Sequence, residues 1–241
     1  MSVNRLAHRE RIDWHDHTTH QLVHPLRGVL QVTTGRGTWV VPPTRAVWLP
    51  ANVPHTHQAH GPTEMRSLIF TTAVQVTFEE PTVLTVEPLL REVIRTLSDE
   101  RTDLSPELRH HLEQVALHQL RSAETLPLRL PTPTDPRLVR LCAMLAADPA
   151  DPRPLRELGR EVGAAERTLS RLFRDETGFT FPQWRGRLRL HHAMLLLATG
   201  LPVTRVAADA GYASPSAFIE AFRLVFGITP GRWAGGGEPA S

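Results

Sequence analysis

The stretch VTRVAADAGYASPSAFIEAFRLVFG, Val203 to Gly227, decides how the C-terminal half of the chain is read. Val203, Val206, Ala207 and Ala210 recur at three- and four-residue intervals, the spacing of one helix face. After the corner Gly211-Tyr212-Ala213, Ser214 is a capping residue and Pro215 suits a first helical position, so a second helix begins there. Ala217, Phe218, Ala221 and Phe222 are expected to bury against the first helix. Pro215, Ser216, Ile219, Glu220 and Arg223 are then left facing outward.

The same arrangement occurs once more upstream. LRELGREV is followed by Gly163-Ala164-Ala165, a turn too short for anything but a tight helix-to-helix corner, and then by ERTLSRLFRDETG. Gly159 and Gly163 are expected inside the corner, with Leu155, Leu158 and Val162 facing Leu169, Leu172 and Phe173. The opposite face carries Arg167, Ser170, Arg171 and Arg174, all able to hydrogen-bond bases or phosphates. One such pair could be an ordinary helical hairpin with a solvated face. Two pairs joined by FPQWRGRLRLHHAMLLLATG, a long helix closed by Gly200, form an internal repeat. Two helix-turn-helix units on a rigid rod can enter successive major grooves about 34 Å apart.

These residues resemble the AraC/XylS family of bacterial transcription regulators over roughly residues 135 to 234. The match runs through TLSRLFRDETGFTFPQW, RLRLHHAMLLL and the closing F-G-x-T-P of VTRVAADAGYASPSAFIEAFRLVFGITPGRW. The resemblance implies a bipartite reader of promoter DNA. Its base-contacting positions fall on Arg167, Ser170 and Arg171 in the first unit and on Pro215, Ser216, Ile219 and Glu220 in the second. Two features depart from the pattern: Ala165 stands where a Ser-like cap often begins the first reading helix, and the second helix offers few strong donors.

The rest of the chain is different in kind. Its 241 residues, 41% hydrophobic, are enough for two modest cores. Up to about residue 80, short β-rich runs (QLVHPL, GVLQVTT, GTWVVPP, RAVWLP, MRSLIFT) alternate with Gly, Pro and Asn turns, as in a small barrel or sandwich. VEPLLREVIRTLSDE and SPELRHHLEQVALHQLRSA then read as two amphipathic helices, packed on the barrel or on a second subunit. TLPLRLPTPTDP has four prolines in twelve positions and reads as a semi-extended linker. The expected fold class is α+β: a cupin-like β-barrel over 1–82, a helical dimerisation segment over 83–124, the linker over 125–136, an all-α tandem helix-turn-helix domain over 137–234 and a disordered tail, GGGEPAS, over 235–241.

Charge follows this division. The sequence contains no lysine, and from Asp135 to Ala234 there are 14 arginines against 10 acidic residues. The earlier part is close to neutral, as expected if only the C-terminal part meets a polyanion. No apolar run approaches the roughly 18 residues of a membrane span, and MSVNRLAHRERID is too polar for a signal peptide, so a cytoplasmic, non-membrane protein is expected. Cys142, the single cysteine, lies in the apolar run LVRLCAML and reads as a small buried hydrophobe.

The second candidate site is WHDHTTHQLVHPLRG, Trp14 to Gly28, with four histidines within ten positions. The region resembles the cupin fold, which the same regulator family attaches for ligand sensing. Metal-binding cupins place His-x-His, a carboxylate, a glycine and a later histidine after a Pro-x-Gly turn. Here His15, His17, Gln21 and Gly28 follow the first spacing, and Pro50 to Pro54 followed by His55 the second, with Asn52 in place of Gly. Residues 15, 17 and 21 share parity, which in extended chain aims them at one face. Three imidazoles and one amide oxygen suit Zn, Ni, Co or Fe rather than a hard cation. The same positions could instead line a pocket for an organic effector. His20, His24, His57 and His60 are expected at the surface.

The reading that follows is a DNA-binding transcription regulator, not an enzyme, whose cupin-like domain senses a small molecule or divalent metal and which works as a homodimer. A metal-dependent cupin enzyme fused to a helical interaction module is the alternative. No carboxylate stands beside the histidines except Asp13 and Asp16, and Asp16 has the wrong parity to join them.

Overall fold

The structure, a computed structural model, describes residues 2–74, 76, 78–126 and 129–234. It divides into two compact units, Met1–Gly35 with Trp39–Leu128, and Arg36–Thr38 with Arg129–Ser241. The expected disordered tail and residues 127 and 128 of the expected linker lie outside the described residues.

The first unit is built on a sheet whose strands are β1 (Ser2–Leu6), β2 (Arg11–His15), β3 (His20–Thr34), β4 (Gly37–Val41), β5 (Arg45–Leu49), β6 (His55–Phe70), β7 (Thr82–Thr85) and β8 (Thr125–Leu126). Their order is β1-β6-β3-β5-β7-β8, with β2 also on β6 and β4 on β3. Among the described residues this path has two ends and does not close on itself, so the expected barrel is an open, cupin-like sheet. The linker stretch supplies Thr125 and Leu126 as partners of β7, because Leu84 and Val83 still offer it a free edge. The long strands β3 and β6 pair antiparallel along most of their length, with register shifts on either side of Arg27. Gly28, at φ 76°, sits in that irregularity, where a Cβ would come within 2.5 Å of the Pro62 carbonyl oxygen. Only glycine allows the two backbones to approach so closely there.

The two amphipathic helices are α1 (Pro88–Ser98) and α2 (Pro106–Ser122). Pro106 follows the cap Ser105, whose side chain accepts from the Leu108 amide, as the sequence predicts. Both pack on the sheet: Leu90, Val93, Ile94 and Leu97 of α1, with Ala116, Leu117 and Leu120 of α2, share one core with Leu22, Trp48, Leu68, Phe70 and Leu84. Each such side chain contributes roughly 1.5–3 kcal/mol by leaving water. The apolar faces of the helices are therefore used within the protomer.

The second unit is helical: α3 (Pro136–Ala147), α4 (Leu155–Val162), α5 (Glu166–Leu172), α6 (Phe181–Ala198), α7 (Val203–Asp209), α8 (Pro215–Phe226) and α9 (Pro230–Ala234). A π-helical turn, Phe173–Thr177, extends α5. Leu138, Leu141, Cys142 and Leu145 of α3 join Leu155, Leu158, Val162, Leu169, Phe173, Phe181, Trp184 and Leu188 in one core. Cys142 is thus the buried hydrophobe expected, its thiol pushed up above the usual range by burial first and by Glu176 next. No described helix is long and apolar enough to cross a membrane.

Candidate functional site

In the first unit, β2 and β6 set the histidines opposite one another. His15, the last residue of β2, is the register partner of His55, the first residue of β6. His17 follows in the irregular connection to β3, so the shared parity of residues 15, 17 and 21 along one strand is not what gathers them. The turn before β6 does that work: Asn52 adopts φ 59°, and its amide donates to the His17 carbonyl at 2.8 Å. Asparagine tolerates this left-handed conformation better than other side-chain-bearing residues, which explains how it stands where cupins place glycine. Ring centroids then lie 4.3 Å apart for His15 and His55, 4.9 Å for His17 and His55, and 5.5 Å for His15 and His17.

One ligand atom from each of these three histidines lies within 4.8 Å of the other two. His15 Nδ1 meets the Asp13 carbonyl and His55 Nδ1 the Val53 carbonyl, each at 2.7 Å. An Nδ1–H donated to a backbone carbonyl leaves the Nε2 lone pair available as a ligand. His55 Nε2, His17 Nε2 and Gln21 Oε1 are buried with no hydrogen-bond partner. Burial first, and neighbouring His15 and His17 next among the lowering influences, bring the His55 pKa down to about 4, while His17 is also lowered by burial and then by His15. Neutral imidazoles with unshared nitrogens are the form a metal requires.

The expectation of surface positions for four other histidines is corrected. His24 and His57 are buried, and His20 and His60 are partly so. His24 lies between strand and helix layers, with Nδ1 on the Arg45 carbonyl at 2.9 Å. His20 Nδ1 accepts from the Ala51 amide. His57 belongs to the cluster: its ring is 5.0 Å from His55 and 5.6 Å from His15, and neither of its nitrogens has a partner. Burial, followed by His55, His15 and His17, lowers its pKa to about 3. The His55-x-His57 spacing on a strand was the available signal, since alternate residues share a face.

The second unit holds both helix pairs. Gly163 ends α4 in the left-handed region at φ 69°, and Gly211 ends the turn after α7 at φ 76°. Gly159 lies inside the first corner, where a Cβ would be 2.5 Å from the Ala164 carbonyl oxygen, whereas a Cβ at Gly163 would meet nothing. Gly163 is therefore needed for its backbone conformation and not, as expected, for space. Leu155, Leu158, Val162, Leu169 and Phe173 are buried as predicted, and Leu172 is only partly so. In the second pair Val206, Ala207, Ala210, Phe218 and Phe222 are buried. Ala217, expected to bury, is exposed.

Arg167, Arg171 and Arg174 project into solvent from α5 and its extension, and Ser170 is half-buried beside them. On α8, Pro215, Ser216, Glu220 and Arg223 are exposed and Ile219 is half-buried. Leu224 is 86% exposed on the same helix. Between the pairs, the Pro-rich joint after α3 is a fixed knot. Arg185 and Arg189 of α6 donate to the carbonyls of Arg153 and Pro149, and Arg153 pairs with the buried Asp151 carboxylate.

Residues 5–176 match a family described as an AraC-like ligand binding domain, and residues 158–235 match one described as a helix-turn-helix domain. The chain belongs to the AraC family. The HTH-type transcriptional regulator NimR of Escherichia coli (strain K12) is 34% identical over 220 residues, 91% of this chain and 81% of that protein. The HTH-type transcriptional regulator RipA of Corynebacterium glutamicum is 38% identical over 111 residues, 45% of this chain and 34% of its own length. A solved structure of ToxT from Vibrio cholerae aligns over 99% of this chain and 98% of that one at 11% identity, with a TM-score of 0.43. This AraC-family chain is a DNA-binding transcription regulator with an N-terminal ligand-binding domain.

Proposed function

We propose that the regulator senses a divalent transition metal at His15, His17 and His55, with Gln21 as fourth donor, and reads promoter DNA through the exposed faces of α5 and α8. The observation that carries the metal assignment is the convergence of one nitrogen from each histidine within 4.8 Å, with His17 Nε2 and His55 Nε2 buried without partners and the His15 and His55 rings oriented by backbone carbonyls. A neutral three-nitrogen, one-oxygen set suits Zn, Ni, Co or Fe. When bound, such an ion supplies a Lewis-acidic position at which a small effector can be held. The protein's residues hold the ion and orient its ligands. Contact with DNA falls to Arg167, Ser170, Arg171 and Arg174 in the first unit, and to Pro215, Ser216, Ile219, Glu220 and Arg223 in the second.

An effector alters DNA affinity only through unequal affinity for two states of the protein. A homodimer in the cytoplasm is the working form in this reading. Leu89 of α1 and Leu108 of α2, about half exposed after both helices have packed on the sheet, support contact with a second copy.

Elemental analysis of the full-length protein purified without chelator tests the metal. About one ion per chain is expected in the wild type, and little in a His15→Ala/His17→Ala variant. Equal metal content in the two proteins defeats the assignment. A second reading, direct hydrogen bonding of an organic effector, is favoured by His57, whose two buried nitrogens both lack partners. It is the reading to adopt if neither protein holds metal and a His57→Phe variant loses effector response.

A further inference from the structure

Beside the first reading helix, the second unit contains a cavity of about 320 Å³ whose lining includes Leu155, Glu166, Ser170, Arg174, Phe181 and Arg185. It sorts the side chains of α5 into two rows. Glu166, Ser170 and Arg174, spaced four residues apart, border the cavity, while Arg167 and Arg171 do not line it and project from the neighbouring row. Residues at i and i+4 share a helix face, so the two rows look toward different targets.

Two guanidinium groups meet at this cavity. Arg174 is exposed and comes from the π-helical turn that extends α5. Arg185 comes from α6 and is held from two sides. Its guanidinium carbon lies 4.7 Å from the centre of the Phe181 ring, and one terminal nitrogen donates to the Arg153 carbonyl at 2.9 Å. That leaves other guanidinium donors for a ligand. Burial, and then Arg189, keep its pKa below the usual arginine value, with Asp151 acting the other way. A half-buried cation among cations is stabilised by an incoming anion. Glu166 is the single carboxylate in the lining. The first turns of α4 and α6 also border the cavity and add the positive ends of their dipoles.

We infer that this cavity is a seat for one phosphodiester of the DNA backbone, held by Arg174 and Arg185 while Arg167 and Arg171 meet base edges. The inference rests on the DNA-reading assignment and divides its labour: phosphate contacts fix register and base contacts carry sequence information. Arg185 thereby becomes a positioning residue for DNA, outside both reading helices. Ser170 belongs to the seat and not to the base-reading row.

The test uses the full chain and a duplex that the wild-type protein selects from a random-sequence pool, with affinity measured across a series of salt concentrations. An Arg185→Met variant keeps the apolar stem against Phe181, and Arg174→Gln alters an exposed side chain that the core does not need. Each is expected to weaken binding to matched and mismatched duplexes by the same factor, on the order of tenfold at low salt, and to reduce the salt slope by about one. Arg171→Ala, by contrast, is expected to change which base is preferred. Wild-type slope in either seat variant, or a shift in base preference like that of Arg171→Ala, overturns the seat. If Arg185→Met does not fold, Arg174→Gln decides alone. Failure of the wild type to select any duplex defeats the DNA-reading assignment itself, and the seat with it.

Discussion

The two helix pairs of the second unit have one plan and two solutions. In each, an amide beyond the corner donates back to a carbonyl inside the first helix: Ala164 to Gly159 and Tyr212 to Ala207, both at 2.9 Å. The equivalent interior position is therefore glycine in the first pair and alanine in the second. The corner glycines differ the other way. A Cβ at Gly163 would stand in open space, but one at Gly211 would lie 2.7 Å from the Ala150 Cα in the Pro-rich joint. The first pair is tight within its own corner, and the second is tight against the knot that α6 braces. Charge is divided too: Arg167, Arg171 and Arg174 on one reading face have Ser216, Glu220 and Arg223 as counterparts on the other. In the proposed reading, electrostatic anchoring is concentrated in the first pair.

The largest effects should come from glycine. Gly159→Val would push a side chain into the Ala164 backbone and into Leu169, which no rotamer relieves. A loss of about 3 kcal/mol in unfolding free energy is expected by denaturant titration. Gly211→Ala combines a left-handed backbone with the approach of Ala150, for about 2–3 kcal/mol. Gly163→Ala should cost only about 1–2 kcal/mol, from the backbone alone. If Gly163→Ala proved as damaging as Gly159→Val, the two corners would not differ as described.

Next in size is the division of charge. Arg171→Ala is expected to lose about 1–3 kcal/mol of binding at the selected site, together with discrimination at one base pair. Glu220→Gln removes an anion from a surface proposed to face a polyanion. It should bind at least as tightly as wild type, with altered preference only where the carboxylate accepts from a cytosine amino group. Competition binding against single-base variants separates these outcomes. A loss at Glu220→Gln as large as that at Arg171→Ala would mean the second pair anchors as strongly as the first.

Much of this was legible in the sequence because helical punctuation is local. Ser105-Pro106, Ser214-Pro215 and the Gly163 and Gly211 corners each announce a helix boundary from three or four residues. The histidine cluster was only half legible. His15, His17 and His55 can be picked by spacing, but His57, expected at the surface, shares the buried face of β6 with His55 because alternate residues of a strand project to one side. The open sheet and the knot at residues 148–154 depend on partners far apart in sequence. So does the cavity at Arg174 and Arg185, which no single motif records.

The smallest effect concerns the start of α5. Ala165 has the extended backbone of a capping residue, φ −68° and ψ 148°, yet offers no side-chain acceptor, whereas Ser214 accepts from the Ala217 amide at the start of α8. No side chain caps the first amides of α5. Ala165→Ser supplies an acceptor and should stabilise the protein by about 0.5–1 kcal/mol, the mirror of the loss expected for Ser214→Ala. Ala165 is exposed, so no packing opposes the added hydroxyl. DNA affinity should not change if the phosphate is held farther along, at Arg174 and Arg185. A variant that melts higher but binds less tightly would show that the uncapped amides are themselves phosphate ligands. The missing cap would then be a feature that DNA binding requires, and the first pair would anchor the backbone from both ends of its reading helix.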